Sequence, residues 1–176
     1  MTRSVSRPVI CAIAGDEAEV AAHHRVRRAV FVTEQGIFAD SDVDAHDARD
    51  DVLRVVARAG HDIVGTVRLF PLDAGSGLWQ GDRLAVLDDA RSAGAGGPLV
   101  RFAVAAAAAR GGRRMLAHVQ PPNRRFFERL GWTAGPTEEY AGHPHVLMTI
   151  ELAGSAHDLG HDEPPARDEA GPQLGR

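Results

Sequence analysis

The stretch RSAGAGGPLVRF, from Arg91 to Phe102, decides how the chain is interpreted, because three glycines precede an apolar run with helical spacing. Glycine costs conformational entropy, so such a site requires unusual backbone dihedral angles or the close approach of another group. Backbone N–H groups at the beginning of a helix, with the positive end of the helix dipole, can bind phosphate. Two interpretations of residues 91–97, here named the glycine loop, stay open: a plain turn and a phosphate-binding loop.

Two common nucleotide-binding motifs do not fit the glycine loop. The Walker motif requires Lys followed by Ser or Thr after the last glycine, whereas Pro98 and Leu99 follow here. The dinucleotide fingerprint requires the spacing G-x-G-x-x-G and an acidic residue at the end of the next strand, and neither fits well. Pro98 does suit the first turn of a helix, where its missing N–H is not needed.

Length and composition fit one globular domain. The chain has 176 residues, of which 44% are hydrophobic and 25% charged, and its formal net charge is −4. This charge balance provides no basic surface, so neither nucleic acid nor a membrane is an expected partner. No apolar run reaches the roughly 18 residues of a membrane span. Because Cys11 is the single cysteine, no internal disulfide can form, and a cytoplasmic location is expected.

The pattern along the chain predicts a mixed α/β domain over residues 1–152. Predicted strands lie at residues 8–14, on both sides of a tight turn at 60–62, in a segment ending near Val86, and at 113–119 and 145–152. Predicted helices lie at residues 17–35, with Asp16 as N-cap, at 98–110, and at 121–131. This order predicts one sheet that is partly antiparallel and partly parallel. Residues 153–176 are rich in Pro, Gly and charge and are predicted to be a disordered tail.

The glycine loop carries a resemblance to a known family. The pattern R-x-x-G-x-G at residues 91–96, after a strand and before a helix, resembles the acetyl-CoA pyrophosphate motif of the GCN5-related N-acetyltransferases, or GNAT family. The segment NRRFFERLGW, residues 123–132, is similar to the family's N-x-x-F-Y-x-x-x-G-F segment after the fifth strand. RRAVFVTEQGIF and EEYAGHPHVLM resemble the ElaA-like and autoinducer-synthase-like branches, and the whole resembles a bacterial group linked to nitrogen starvation.

The resemblance, which extends from about residue 9 to residue 152, implies the GNAT acyltransferase fold with a splayed central sheet. It implies acetyl-CoA as co-substrate, held by the glycine loop at its pyrophosphate and by strand-end backbone at its pantetheine arm, and no metal. Near Val86, a backbone N–H would stabilise the oxyanion. Asn123 is either a cofactor contact or a helix N-cap. The implied cofactor-binding residues are Leu84, Ala85, Val86, Arg91, Ser92, Ala93, Gly94, Ala95, Gly96, Gly97, Asn123, Phe126 and Phe127.

Acyl transfer from a thioester to an amine needs a group that accepts the amine's proton and a group that protonates the leaving thiolate. Phe127 stands where the family often has a tyrosine acid, so Tyr140, water or the substrate would supply that proton. Candidate bases are His118 in the fifth strand, His145 before the last strand and Glu34 at the end of the first helix. Each candidate also has a purely structural interpretation: a half-buried aromatic ring for Tyr140, a packed sheet histidine for His118, a turn histidine for His145 and a solvated charge at a helix end for Glu34.

Six aspartates lie in residues 38–51, here named the aspartate loop. The run is predicted to be a solvated loop, with attraction of an amine or polyamine as the alternative. Its D-x-D-x-D spacing lacks the glycine and glutamate that complete a calcium loop.

Three functions fit these observations. The favoured one is an N-acetyltransferase that uses acetyl-CoA on a primary amine of a small molecule, by direct attack in a ternary complex. The VFVTEQG segment keeps open an acyl synthase with a longer acyl donor. Phe127, in place of the usual tyrosine, keeps open a non-catalytic domain that senses acyl-CoA. A homodimer is plausible for this fold.

Overall fold

The computed structural model describes residues 8–153 and shows a seven-stranded sheet with helices on both faces. The strands are β1 (Val9–Ile13), β2 (Leu53–Ala59), β3 (Asp62–Pro71), β4 (Leu78–Val86), β5 (Arg114–Val119), β6 (Thr133–Tyr140) and β7 (His143–Glu151). The helices are α1 (Glu17–Arg27), α2 (Asp88–Arg91), α3 (Gly96–Ala108) and α4 (Arg124–Arg129). Except for Ala153, the tail predicted at residues 153–176 lies outside the described residues.

The strand order is β1-β2-β3-β4-β5-β7-β6, with β4 and β5 parallel and every other neighbouring pair antiparallel. The predicted mixed sheet is therefore confirmed. The sequence did not predict β6, which is an edge strand with mostly exposed residues and a register shift between Ala134 and Thr137. Gly135 and Pro136 occupy that irregularity, and both weaken the sequence signal of a strand.

The two faces of the sheet are covered by different helices. Along β3, Val67 and Leu69 belong to the same core cluster as Leu99 of α3, whereas Arg68 between them pairs with Asp44 of the aspartate loop. Because successive strand residues point to opposite faces, α3 covers one face, and α1 with the aspartate loop covers the other. Between residues 8 and 153, the helices are all too short or too polar to cross a membrane.

The first predicted helix is present, but its second half has a different geometry. The Asp16 side chain accepts a hydrogen bond from the Glu19 N–H at 2.8 Å, which confirms the predicted N-cap. After α1 the chain continues as a π-helix at Arg28–Glu34, with the Gln35 N–H donating to the Val30 carbonyl at 2.9 Å. Wider turns of this kind are frequent at functional sites, and this one ends beside the cleft described below.

The prediction that the aspartate loop is solvated is wrong for its central carboxylates. Asp42 and Asp47 are buried and lie 2.6 and 2.7 Å from guanidinium nitrogens of Arg27, which has no exposed surface. Arg68 is equally buried and pairs with Asp44 at 2.6 Å and with Asp47 at 2.9 Å. Burial by itself would raise the pKa of Asp47, but hydrogen bonds from Arg27 hold that pKa below its usual range. The loop is thus part of a buried ionic network.

Candidate active site

The strands β4 and β5 pair only at their beginnings. The parallel ladder joins Leu78–Gln80 to Arg114–Leu116 and does not continue beyond Gln80. Backbone groups of a strand alternate in direction, so every second N–H and C=O of residues 81–86 faces the open edge between the two strands. The splayed sheet that the resemblance implied is therefore present, and its open edge can hydrogen-bond to a ligand.

A β-bulge lies on β4 at the splay. Thr66 of β3 is opposite Ala85, but Arg68, two residues on, is opposite Asp82, three residues back on β4. Arg83 lies in this bulge with φ of 52°, a left-handed conformation that few non-glycine residues adopt. Such strain persists only where the surroundings hold it in place.

The aspartate loop provides that support. The Arg83 guanidinium lies 3.1 Å from a carboxylate oxygen of Asp42 and 3.1 Å from one of Asp44. Its carbon lies 4.9 Å from the ring centroid of Phe38, in a cation–π contact. The buried network thus fixes the one strand residue with positive φ that borders the cleft.

A cleft of about 150 Å³ occupies the splay. One wall comes from the π-helix and the loop after it, through Phe31 and Phe38. The opposite wall comes from the β6–β7 hairpin, through Tyr140 and His145, and α3 contributes Val100 at the base. The cleft therefore reaches from one face of the sheet to the other through the gap between β4 and β5.

The glycine loop connects α2 to the beginning of α3, and α3 reaches the cleft at Val100, its fifth residue. Gly94 has φ of +76°, which favours glycine at that position. A side chain on Gly96 would approach the Phe126 ring, since a Cβ there would lie 3.2 Å from its Cζ. No side chain caps α3, so the first N–H groups of this helix have no side-chain acceptor. The loop can therefore take an anion at its backbone.

The structure brings Glu34 beside the glycine loop. The Glu34 carboxylate forms a two-point ion pair with Arg91, at 2.6 and 2.7 Å, and each side chain is 40% exposed. Arg91 also donates a hydrogen bond to the Val86 carbonyl at 3.0 Å. The hydrogen bond from Arg91 lowers the pKa of Glu34, so this carboxylate is ionised at neutral pH and is a weak base. Its neighbour Gln35, which lines the cleft, hydrogen-bonds to Gln120 at the end of β5.

Three of the predicted catalytic residues meet in one cluster. The rings of His118 and Tyr140 are stacked with centroids 4.0 Å apart, and Tyr140 meets His145 edge-on at 5.5 Å. Burial lowers the pKa of His118, and the Glu138 carboxylate, 3.8 Å away, offsets this only in part. The imidazole is therefore neutral at neutral pH and can accept a proton. His145 lies within β7 and not before it, so the turn interpretation is wrong; its ring nitrogen Nδ1 is 2.9 Å from the His143 carbonyl, and the residue borders the cleft.

Some of the other predicted cofactor contacts line the cleft, and others do not. Asn123 occupies the N-cap position of α4 but makes no capping hydrogen bond, so the N-cap alternative is wrong for its side chain, which lines the cleft. Leu84 and Phe127 also line the cleft. Ala85 points away, into the cluster packed under α1, because strand residues alternate in direction. Among residues 8–153, no group of three or more acidic, histidine or cysteine side chains is arranged to hold a metal ion.

Sequence reasoning missed several side chains at this site. Arg83, Gln35, Gln120 and Trp132 border the cleft, yet none was a candidate. One usable signal existed, since an arginine in a strand must be paired when it is buried. Gln35, Gln120 and Trp132 carried no comparable signal, because their place in the cleft depends on which strands and loops come together in the fold.

Comparisons with known proteins agree with this geometry. Residues 20–132 match the Acetyltransferase (GNAT) family. The uncharacterized N-acetyltransferase YjcF of Bacillus subtilis (strain 168) is 30% identical over 138 residues, which are 77% of this chain and 95% of that protein. A Lactobacillus plantarum structure assigned as an N-acetyltransferase has a TM-score of 0.73 at 28% identity and covers 82% of this chain and 99% of its own. Escherichia coli ElaA has a TM-score of 0.70 at 19% identity, with 81% and 98% covered, and shares the fold.

Proposed function

Because the chain belongs to the acetyltransferase (GNAT) family, we propose that it moves an acetyl group from acetyl-CoA to the primary amine of a small molecule. The observation that carries the proposal is the cleft between β4 and β5, which is lined by His118, Tyr140 and α3, a helix whose first turn has no side-chain cap. A thioester held there would have its phosphates near the helix N-terminus and its carbonyl near titratable side chains.

The residues that would hold acetyl-CoA fit its chemistry. The glycine loop offers backbone N–H groups, and Arg91 offers a guanidinium, to the pyrophosphate. The open edge of β4 offers alternating donors and acceptors to the amides of the pantetheine arm. A backbone N–H on that edge would stabilise the oxyanion as the tetrahedral species forms.

The proposed reaction is direct attack with both substrates bound. His118 accepts a proton from the acceptor amine, directly or through a water, with His145 as the second candidate base. The amine nitrogen then bonds to the carbonyl carbon, the carbon–sulfur bond breaks, and Tyr140 donates a proton to the thiolate. Glu34, ionised beside Arg91, is better suited to attract a cationic amine than to remove its proton.

Two observations weigh on the alternatives. The buried side chains of Trp132 and Phe127, which close one end of the cleft, argue against a long acyl donor. Phe127 cannot donate a proton, which favours a sensing domain, but Tyr140 in the cleft supplies a hydroxyl. A small-molecule acceptor, a cytoplasmic location, a role in nitrogen metabolism and a homodimer stay predictions.

The test is release of free CoA thiol from acetyl-CoA in the presence of amino acids, polyamines, aromatic amines and peptide N-termini. We expect thiol release that depends on one class of amine. His118→Gln should lower kcat by about 100-fold, since general bases contribute on the order of 10² to 10⁴. His61→Gln, a change in the exposed β2–β3 turn, is the matched control and should leave kcat unchanged. Binding of acetyl-CoA without turnover on any amine would favour the sensing domain.

A further inference from the structure

The part of the cleft that faces α3 is formed by side chains of the main hydrophobic core. Trp132, Phe127 and Met115 line it together with Val100 and Ala103, and none of the five is more than 7% exposed. Core side chains are close-packed and give way only at a cost in free energy. This end of the cleft is therefore a fixed wall.

Trp132 is the largest side chain in that wall, and its position is held from two sides. Its backbone N–H donates to the Phe127 carbonyl at 3.1 Å, just after Gly131 ends α4. Its ring meets the Phe127 ring edge-on at 5.3 Å, and Phe127 meets Phe126 in the same way at 5.4 Å. The indole cannot swing aside without repacking this row of aromatic rings.

The closed end of the cleft limits what can lie against this wall. The space of about 150 Å³ is similar to that of a cavity that holds benzene, and the cleft is otherwise open. An acetyl group that points at the wall fits beside the attacking amine, whereas a chain of eight carbons would have to turn toward the open side.

The indole nitrogen of Trp132 gives a second, chemical reason to expect a short acyl group. Nε1 of Trp132 is buried and has no hydrogen-bond partner among the described residues. A buried donor without a partner is unfavourable, and a methylene chain packed against it would exclude water and provide no acceptor. A short acyl group leaves room for a water molecule or a carbonyl oxygen to pair with the N–H.

We propose that Trp132 restricts the acyl donor to short-chain acyl-CoA by closing the α3 side of the cleft. This inference rests on the proposed function, and it assigns to one residue the choice of acyl length. Removing part of the indole should lengthen the acyl chain that the cleft accepts, without loss of acetyl-CoA binding.

The experiment is calorimetric titration of the full chain with CoA, acetyl-CoA, butyryl-CoA and octanoyl-CoA. We expect the unmodified protein to bind octanoyl-CoA at least about ten-fold more weakly than acetyl-CoA, a discrimination of the size that hydrophobic pockets achieve. Trp132→Phe and Trp132→Leu should reduce that ratio to about one. Trp79→Phe is the matched control, because Trp79 is equally buried at 6% exposure but does not line the cleft, and it should leave the ratio unchanged.

The outcomes separate this inference from the function on which it rests. Equal affinity of the unmodified protein for acetyl-CoA and octanoyl-CoA overturns the inference alone, and this result needs no variant to fold. An unchanged ratio in a folded Trp132→Phe also overturns it. If the unmodified protein binds neither CoA nor any of its thioesters, the proposed function fails first.

Discussion

The aspartate loop and the glycine loop both connect regular elements, yet the structure uses them in opposite ways. In the aspartate loop, Asp42 and Asp47 are at most 6% exposed and pair with a fully buried arginine. In the glycine loop, residues 91–94 are exposed, and the amides that begin α3 have no side-chain cap. One loop has its polar groups satisfied inside the fold, and the other leaves them available to a ligand.

The difference between the two loops shows that a run of charged residues in the sequence does not have to lie on the surface. Carboxylates become structural when cations on distant elements lie beneath them, as Arg27, Arg68 and Arg83 do here. A buried ion pair that loses one partner leaves an uncompensated charge in the interior, whereas an exposed pair contributes little. The two loops should therefore respond differently to substitution.

The largest effect is expected from Arg68→Met in the buried network. The change removes one arginine partner from each of Asp44, Asp47 and Asp82 and leaves excess negative charge in the interior, so we expect unfolding to become easier by about 3–5 kcal/mol. Arg114→Met, which breaks an exposed pair, is the control and should cost at most about 1 kcal/mol. Urea denaturation measures both, and equal small losses would show that the aspartate loop does not stabilise the fold.

The second largest effect is expected from acid, which should lower the stability of the fold through His23, a buried residue of α1. His23 has no exposed surface, and burial, helped by the nearby Arg27, lowers its pKa to about 3. Above pH 6.5 the His23 ring is neutral in both the folded and the unfolded chain. Below that pH the unfolded chain takes up the proton first, so the free energy of unfolding decreases as the pH is lowered. Between pH 6 and pH 4 this should remove about 2–3 kcal/mol of unfolding free energy.

His23→Gln, which cannot titrate, should give a flatter curve over that range. Denaturant unfolding at several pH values compares the two proteins, and parallel curves would contradict the prediction. Asp44 and Asp47 do not account for this range. Their pKa values are lowered by arginine hydrogen bonds, and their contribution is lost only as the pH falls below about 4.

In the glycine loop, substitution should affect binding and not stability. Ser92 is exposed, and Ser92→Glu places a negative charge beside the proposed phosphate site. We expect acetyl-CoA to bind about ten-fold more weakly at low salt, with less than about 0.5 kcal/mol change in stability, because surface changes seldom do more. Ser92→Gln is the neutral control, and calorimetry at two salt concentrations is the measurement. Equal losses in both variants would indicate a steric cause.

The smallest effect is expected at the exposed pair between Glu34 and Arg91. Glu34→Gln frees Arg91 for the phosphates, so acetyl-CoA should bind more tightly, by about five-fold at most, since exposed pairs contribute up to about 1 kcal/mol. Arg91→Met should weaken binding instead. Weaker binding in Glu34→Gln would mean that the carboxylate positions Arg91 and does not compete for it.

Much of the fold was predictable because it depends on local patterns. The glycines, the prolines and the apolar periodicity gave six of the seven described strands and the main helices. The missing strand, β6, lies at an edge where exposed residues carry no alternating pattern. The π-helix after α1 was not predictable either, because the apolar periodicity of the sequence does not show where an α-helix changes to the wider π-helical turn.

The candidate site was predictable only in part. His118, Tyr140 and His145 were named from residue type and resemblance, but their meeting depends on β7 lying between β5 and β6. The pairing of Glu34 with Arg91 joins residues 57 positions apart, and no local signal predicts it. Arg83 in its left-handed conformation and the buried Trp132 were missed for the same reason.

The sequence by itself determined that the chain builds a mixed sheet with a glycine loop between a strand and a helix, because turn chemistry and hydrophobic period act over a few residues. Only the tertiary structure decided which polar groups face inward. The central aspartates of the aspartate loop pair with arginines on other elements, and the cleft lies where β4 and β5 stop pairing. Burial and pairing depend on which distant segments meet in space, and short-range patterns do not encode that.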